Sequence, residues 1–317
     1  VSRDDVRDTL RLAVPVVLTQ IGTVAMGTVD TLMVGRLGAE PLGAVALGNS
    51  TAFAVLVVGM GTLLGLDPVV SQAHGAHRPH ECGRALRHGL ALALGLSVPI
   101  MLLLSQARLL LRLTGQTPAL VDSGSAYVHG INAGVVPFLL FTALRQFLQG
   151  IHRVKPALVI VLLANLLNAL ANWVLIYGHW GLPAMGSTGA AWATTLSRWA
   201  MLGALAAYVF GSRELRHRYA VWAPRRRLDR ALLARLVRLG APVGTQYGME
   251  VGIFAATALM MGWLGPVPLA GHQIALNLCS ITFMVPLGFS ATAAVRVGQA
   301  VGRGDVEAAR RAALTAY

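Results

Sequence analysis

Residues 12–42, LAVPVVLTQIGTVAMGTVDTLMVGRLGAEPL, return at residues 239–269 as LGAPVGTQYGMEVGIFAATALMMGWLGPVPL. The correspondence runs without gaps from Leu12–Arg84 onto Leu239–Arg311 at an offset of 227, the difference between Pro242 and Pro15. Pro15 and Val16 pair with Pro242 and Val243. Met33, Gly35, Leu37, Gly38, Pro41 and Leu42 pair with Met260, Gly262, Leu264, Gly265, Pro268 and Leu269. Further on, Gln72, Ala73 and Gly75 meet Gln299, Ala300 and Gly302. A composition rich in Leu, Gly and Ala produces weak matches by chance, but shared prolines and a repeated Gln-Ala-x-Gly argue for duplication.

The repeated unit is apolar, and so is the rest of the chain. Of 317 residues, 55% are hydrophobic and 12% charged, against about 25% charged in ordinary soluble domains. Apolar runs such as Leu90–Leu104, Pro156–Leu167 and Ala200–Phe210 recur between short polar breaks, and about 20 apolar residues span a bilayer core. The expectation is an all-α, polytopic integral membrane protein. Read against Gly, Pro and charge punctuation, helices are expected at 10–35, 42–69, 85–106, 124–150, 156–178, 187–210, 234–263 and 269–297.

The net charge of +13 would point to nucleic acid in a soluble protein. Here the arginines sit between apolar runs without interleaved stacking aromatics, which argues against nucleic acid. Positive charge gathers at the N-terminus and in alternate connections: Arg78, Arg84 and Arg87; Arg153 and Lys155; Arg213 to Arg238; Arg296 to Arg311. Arg36, Arg108 and Arg112 break the pattern. The basic connections are expected in the cytoplasm, with a cytoplasmic N-terminus. Val1–Arg11 lacks a signal peptide's apolar core and cleavage site. Cys82 and Cys279 offer neither a disulfide framework nor metal-ligand spacing.

The repeat runs from the first helix to the seventh, so both copies share one orientation, a parallel repeat with six helices per copy. This divides the chain into a six-helix lobe at 1–211, a basic linker at 212–233 and the start of a second lobe at 234–317. Tyr317 aligns with position 90 of the first copy, so the second copy is expected to stop as its third helix begins and the chain reads as truncated. The linker, with Arg213, Arg216, Arg218 and Arg225-Arg226-Arg227, reads as touching anionic headgroups.

Ionisable residues inside spans are costly and mark function by default. Asp30 lies deep in the first helix and Glu250 in the middle of the seventh. Apolar surroundings disfavour the charged form of a carboxylate, so each can exchange a proton or pair with a cation; hydrogen bonding in a purely structural role is the alternative. Asn165, Asn168 and Asn172 recur on one face of the fifth helix. With Asp30, Asn168 and Asn172 offer oxygen ligands of the kind hard cations take, a possible Na+ site, or else they bind neighbouring helices together. Gln246, Tyr247, His272, Gln273 and Asn277 are weaker candidates for a substrate cavity. Arg198 stands alone in the sixth helix and receives no role. Met249, Met260, Met261 and Met284 give adaptable surface or ordinary packing.

Taken together, the residues resemble the multidrug and toxic compound extrusion (MATE) transporters, in the NorM-like branch. The resemblance spans essentially the whole chain. It rests on Pro15 with Val29-Asp30-Thr31, Gly35-Arg36-Leu37-Gly38, Ser71-Gln72-Ala73-x-Gly75, Asn168-x-x-x-Asn172-Trp173, Glu250-Val251-Gly252, Val285-Pro286-Leu287-Gly288-Phe289-Ser290 and Val295-Arg296-Val297-Gly298. It implies twelve helices in two six-helix lobes around a central cavity, exporting amphipathic organic cations in exchange for H+ or Na+, with no further cofactor. It carries cation-site roles onto Asp30, Asn168, Asn172 and Glu250; the family's helix-10 positions lie past Tyr317, so a chain ending there is not expected to transport. The bacterial inner membrane, surrounding lipids and a monomer complete the expectation. Flipping of an anionic lipid-linked sugar is the alternative, disfavoured by acids in the spans with only Arg198 as a base. Catalysis is not expected: there are no paired catalytic acids on adjacent turns, no metal-spaced His cluster and no Gly-x-Ser-x-Gly.

Overall fold

The computed structural model describes residues 3–222 and 228–315, with the side chains of 3–6 and 8 left aside. Arg225, Arg226 and Arg227 lie outside the described residues. Among the described residues the chain forms helices and no strand. In order these are α1 (Arg3–Gly35), α2 (Ala39–Leu63), α3 (Leu66–Gly75), α4 (Pro79–Ser105), α5 (Ala107–Leu113), α6 (Pro118–Asn132) and α7 (Val135–Gly150). They continue as α8 (Lys155–Tyr177), α9 (Gly186–Gly211), α10 (Arg213–Tyr219), α11 (Arg230–Trp263), α12 (Pro266–Arg303) and α13 (Val306–Thr315).

Among the described residues, five stretches are long and apolar enough to cross a membrane: Thr9–Gly35, Ala39–Gly75, Pro79–Ser105, Lys155–Tyr177 and Pro266–Arg303. A sixth is reached if α6 and α7, bent by 48° at their junction, form one broken span. α9 and α11 have the length, at 26 and 34 residues, but not the same apolar composition. The outward faces fit a hydrocarbon surrounding: Leu102 of α4 is 64% exposed and Leu166 of α8 is 70% exposed. Helices apolar on all sides are stable only where the solvent is apolar too.

Two helices expected to be continuous are broken. The stretch 42–69 divides at Leu64 and Gly65, where α11 comes so near that a Cβ on Gly65 would lie 2.5 Å from the Leu236 carbonyl oxygen. The stretch 124–150 divides at Ala133 and Gly134. The described part of the basic linker carries a helix of its own. It contains α10, whose Leu215 and Tyr219 are buried one turn apart with Val221, while Arg213, Arg216 and Arg218 face outward. Asp229 caps α11 by accepting from the Ala231 N–H at 2.8 Å and pairs with Arg84. Arg153 pairs with Glu214.

The duplicated segments fold alike. Pro15 and Pro242 lie inside α1 and α11, and the carbonyl of Pro15 accepts a hydrogen bond from the Thr19 hydroxyl at 2.7 Å. The next helices of both copies start after glycines with matching backbones, Gly38 at φ 117° and Gly265 at φ 107°, a conformation nearly closed to residues with a Cβ. α1 packs on α12 and α2 on α11, each helix against its neighbour's equivalent in the other copy. The contacts are reciprocal. A Cβ on Gly61 would lie 2.6 Å from Gly244 Cα, and one on Gly288 would lie 2.8 Å from Val17 Cα; at the offset of 227, 61 corresponds to 288 and 17 to 244. Likewise a Cβ on Gly75 would lie 2.1 Å from the Gln299 carbonyl oxygen, and one on Gly302 2.1 Å from that of Gln72. Small residues let membrane helices approach at backbone distance.

Candidate functional site

α1, α8 and α9 meet around Asp30, which is 2% exposed. Asn168 and Asn172, one turn apart on α8, are fully buried beside it, and Thr194 comes from α9. Their hydrogen bonds close a ring. Asn172 Nδ2 donates to Asp30 Oδ1 at 2.6 Å and to Asn168 Oδ1 at 3.2 Å. Asn168 Nδ2 donates to Thr194 Oγ1 at 3.3 Å, and the Thr194 hydroxyl donates to Asp30 Oδ2 at 2.5 Å. Both carboxylate oxygens thus accept from neutral donors, the arrangement that lets a buried acid persist without a contacting cation.

The ring leaves Asn172 Oδ1 buried without a hydrogen-bond partner. With the Asp30 carboxylate, Asn168 Oδ1 and Thr194 Oγ1 it makes an all-oxygen set, the donor chemistry hard cations take. Among the described residues no three His, Cys, Asp or Glu side chains gather to hold a metal. A cation here would therefore rest on one carboxylate with amide and hydroxyl oxygens. A proton would need only Asp30.

The other sequence candidates occupy different surroundings. Asn165 donates to the Gly22 carbonyl of α1 and to the Val161 carbonyl of its own helix, each at 2.8 Å, and so ties α8 to α1 outside the ring. Glu250 is half-buried on α11 and makes no hydrogen bond or ion pair among the described residues; Tyr247, one turn earlier, lies within its electrostatic reach. The two acids are not equivalent members of the repeat, because at the offset of 227 Asp30 aligns with Thr257 and Glu250 with Thr23. Asn277 donates to Thr31 Oγ1 at 2.9 Å, joining α12 to α1 next to Asp30. His272 Nε2 and Gln273 Oε1 are buried without partners. Gln246 is exposed on α11.

Arg198 is not isolated. Its guanidinium lies 4.8 Å above the Phe138 ring and within electrostatic reach of Asp30. Nor is it the only base among the spans: Arg145 of α7 is 8% exposed and accompanies Asp67 of α3, 7% exposed. Arg145 Nη1 donates to Gln20 Oε1 at 2.5 Å, and Gln146 Nε2 donates to Asp67 Oδ2 at 3.2 Å. Arg145 and Asp67 sit within electrostatic reach of each other, while Asp67 Oδ1 and Arg145 Nε are left unpaired. This second buried polar network joins α1, α3 and α7. It is hard to see in the sequence because Asp67 lies near the end of the expected helix 42–69.

Comparison with known proteins places the chain in a family. A family model described as MatE matches residues 15–174 and 242–317. The chain belongs to the MatE family. Both matched segments of this MatE chain begin at the paired prolines, Pro15 and Pro242, so the family pattern reads the same duplication. The chain is 39% identical over 317 residues to a probable multidrug resistance protein NorM of Mesorhizobium japonicum, covering 99% of this chain and 68% of that protein. It is 37% identical over 304 residues to the multidrug resistance protein NorM of Vibrio cholerae, covering 96% and 66%. Among solved structures, the eukaryotic MATE transporter AtDTX14 superposes with a TM-score of 0.87 at 21% identity, covering 99% of this chain and 69% of that one. That similarity speaks to the fold alone.

Proposed function

We propose that this MatE chain works in a secondary active multidrug exporter, moving amphipathic organic cations out of the cell in exchange for H+ or Na+. The observation that carries the reading is the ring around Asp30: a buried carboxylate with no Arg, Lys or His side chain in contact among the described residues, held by neutral donors beside an unpaired amide oxygen. Such a group accepts a proton or a small cation and exchanges it for a cationic drug only if the two arrangements of the molecule bind them with different affinity. Glu250 is the second coupling group in this scheme. The names of the relatives, multidrug resistance proteins, support the cargo class.

The scheme implies two six-helix lobes in parallel repeat, the arginine-rich connections and the N-terminus in the cytoplasm, and residence in the bacterial inner membrane as a monomer among lipids. It assigns Asn168, Asn172 and Thr194 to holding the coupling ion with Asp30, and no catalytic residue. Gln246, Tyr247, His272, Gln273 and Asn277 are assigned to the walls of the drug path. Cells expressing the gene should extrude ethidium, faster with an inward proton gradient or with sodium in place of potassium. Asp30→Asn and Glu250→Gln should each abolish extrusion with expression intact. Retained efflux in both variants sinks the assignment; a response to sodium at constant pH identifies the ion.

A further inference from the structure

A cavity of about 690 Å³ opens where the start of α1, the start of α8 and the end of α12 converge, a volume within the ordinary range of ligand sites. Its walls carry Arg11, Arg153, Lys155, Arg296 and Arg303 with His152, and among the described lining residues no Asp or Glu. The cations are held in two ways. Arg153 is paired with Glu214, and Arg296 donates to Thr9 Oγ1. Arg11, Lys155 and Arg303 make no hydrogen bond or ion pair among the described residues and are exposed. Like charges crowded around a partly enclosed cavity repel each other and raise the local concentration of anions.

The cavity also receives the N-terminus of α8. Val154, Lys155 and Pro156 line it, and α8, 23 residues long, has no side-chain cap at Val154. Pro156 has no N–H, and the N–H groups of Lys155 and Ala157 beside it have no partner within the helix and favour an anion. Gln299 is committed elsewhere, donating to the Gly150 carbonyl at 2.8 Å, so it forms wall rather than receptor. α1, α8 and α12 are all among the helices long and apolar enough to span, which puts the cavity where apolar stretches give way to charge. Beyond the cavity, α8 exposes Val159, Leu162, Leu163 and Leu166, a surface suited to an acyl chain.

We propose that this cavity binds a phosphate group, presented by the headgroup of an anionic phospholipid that stays with the protein rather than being carried. Guanidinium and ammonium donors match phosphate oxygens, and basic pockets between the ends of membrane helices suit anionic headgroups. The surroundings distinguish the source, because a free phosphate gains nothing from the apolar face of α8. The site is separate from the Asp30 ring and does not depend on the transport reading.

The test is native mass spectrometry of the purified protein titrated with phosphatidylglycerol, phosphatidylcholine or inorganic phosphate. Wild type should retain phosphatidylglycerol over phosphatidylcholine by roughly tenfold or more. The combined substitution Arg11→Gln, Lys155→Gln and Arg303→Gln should erase most of that preference, and Lys155→Gln alone should lower it partway. Arg235→Gln, Arg238→Gln and Arg310→Gln together, which remove the same charge outside the cavity, should leave it within about twofold, the size of a diffuse surface effect. An equal loss in the two triple variants overturns the proposal. Inorganic phosphate binding with no preference for phosphatidylglycerol overturns the lipid assignment and gives the cavity to a soluble anion.

Discussion

Removing the Thr194 hydroxyl while keeping the shape of the side chain tests whether the ring around Asp30 is a coupled unit. Thr194→Val takes away the donor at 2.5 Å from Asp30 Oδ2 and leaves the carboxylate, 2% exposed, with Asn172 alone. It also removes the acceptor for Asn168. A hydrogen bond to a charged group contributes about 1.5–3 kcal/mol in soluble proteins. In membranes, double-mutant cycles average about 0.6 kcal/mol and reach about 1.7, because the unfolded helices find other partners in the lipid. Asp30 should fall near the top of that range, as both its oxygens are engaged and lipid offers a carboxylate no substitute. A coupling of about 1.5 kcal/mol is therefore expected between Thr194→Val and Asp30→Ala. Alanine is the better partner for the cycle, since an asparagine at position 30 would still accept from Thr194. The four proteins would be compared by unfolding in mixed micelles with increasing denaturing detergent. Additivity within about 0.5 kcal/mol, the ordinary scatter for independent sites, would refute the ring as a cooperative unit.

Two further outcomes follow from the packing and the caps. A Cβ on Gly240 would lie 1.8 Å from the Thr62 carbonyl oxygen, whereas one on Gly203 meets nothing within 4 Å. Gly240→Ala should therefore destabilise the fold by about 3 kcal/mol or more, and Gly203→Ala should leave it unchanged or stabilise it by up to about 1 kcal/mol, both read as melting temperature in detergent. Equal effects would show that the approach of α2 and α11 is loose. Asp229→Ala should lower the melting temperature more than Asp229→Asn, because asparagine still caps α11 and loses only the pairing with Arg84. The Ala231 N–H, followed by that of Leu232 and the Arg84 charge, holds the Asp229 carboxyl below its usual value. A carboxylate lowered on folding contributes stability above the ordinary value of about 3.9 and loses it as pH falls through the folded value. The gap between wild type and Asp229→Ala should thus be full at neutral pH and shrink only in acid; a gap that widens in acid would reverse the sign of the effect.

Much of the fold is legible in the sequence because lipid imposes a simple requirement. Every spanning segment must satisfy its own backbone, so apolar length alone marks α1, α4, α8 and α12. The breaks between α2 and α3 and between α6 and α7 are harder to read. Gly65 and Gly134 are two among 35 glycines, and what distinguishes Gly65 is the approach of α11, a contact 171 residues away in sequence (236 minus 65). At the site, Asp30, Asn168 and Asn172 stand out as polar groups in apolar runs, the asparagines at one-turn spacing. Thr194 does not, because threonines are common in such helices and usually turn back on their own backbone, as Thr19, Thr23 and Thr31 do here. Asp67 and Arg145 were obscured by position. Each sits near the end of an expected helix, where charge is unremarkable, and only the packing of α3 against α7 buries them together.

The reciprocal contacts of Gly75 with Gln299 and of Gly302 with Gln72 have the form of an isologous interface, in which residue i of one half meets residue j of the other and j meets i. An approximate dyad therefore relates the two repeated segments of a single chain. Sliding one copy past the other along the dyad would shorten one of these contacts while lengthening its twin, and backbone already at van der Waals distance resists compression. Rotation about an axis perpendicular to the dyad changes both equally. The seam between the copies therefore resists shear along the dyad, and the positions that set this stiffness, Gly61, Gly75, Gly288 and Gly302, are ones that carry no side chain at all.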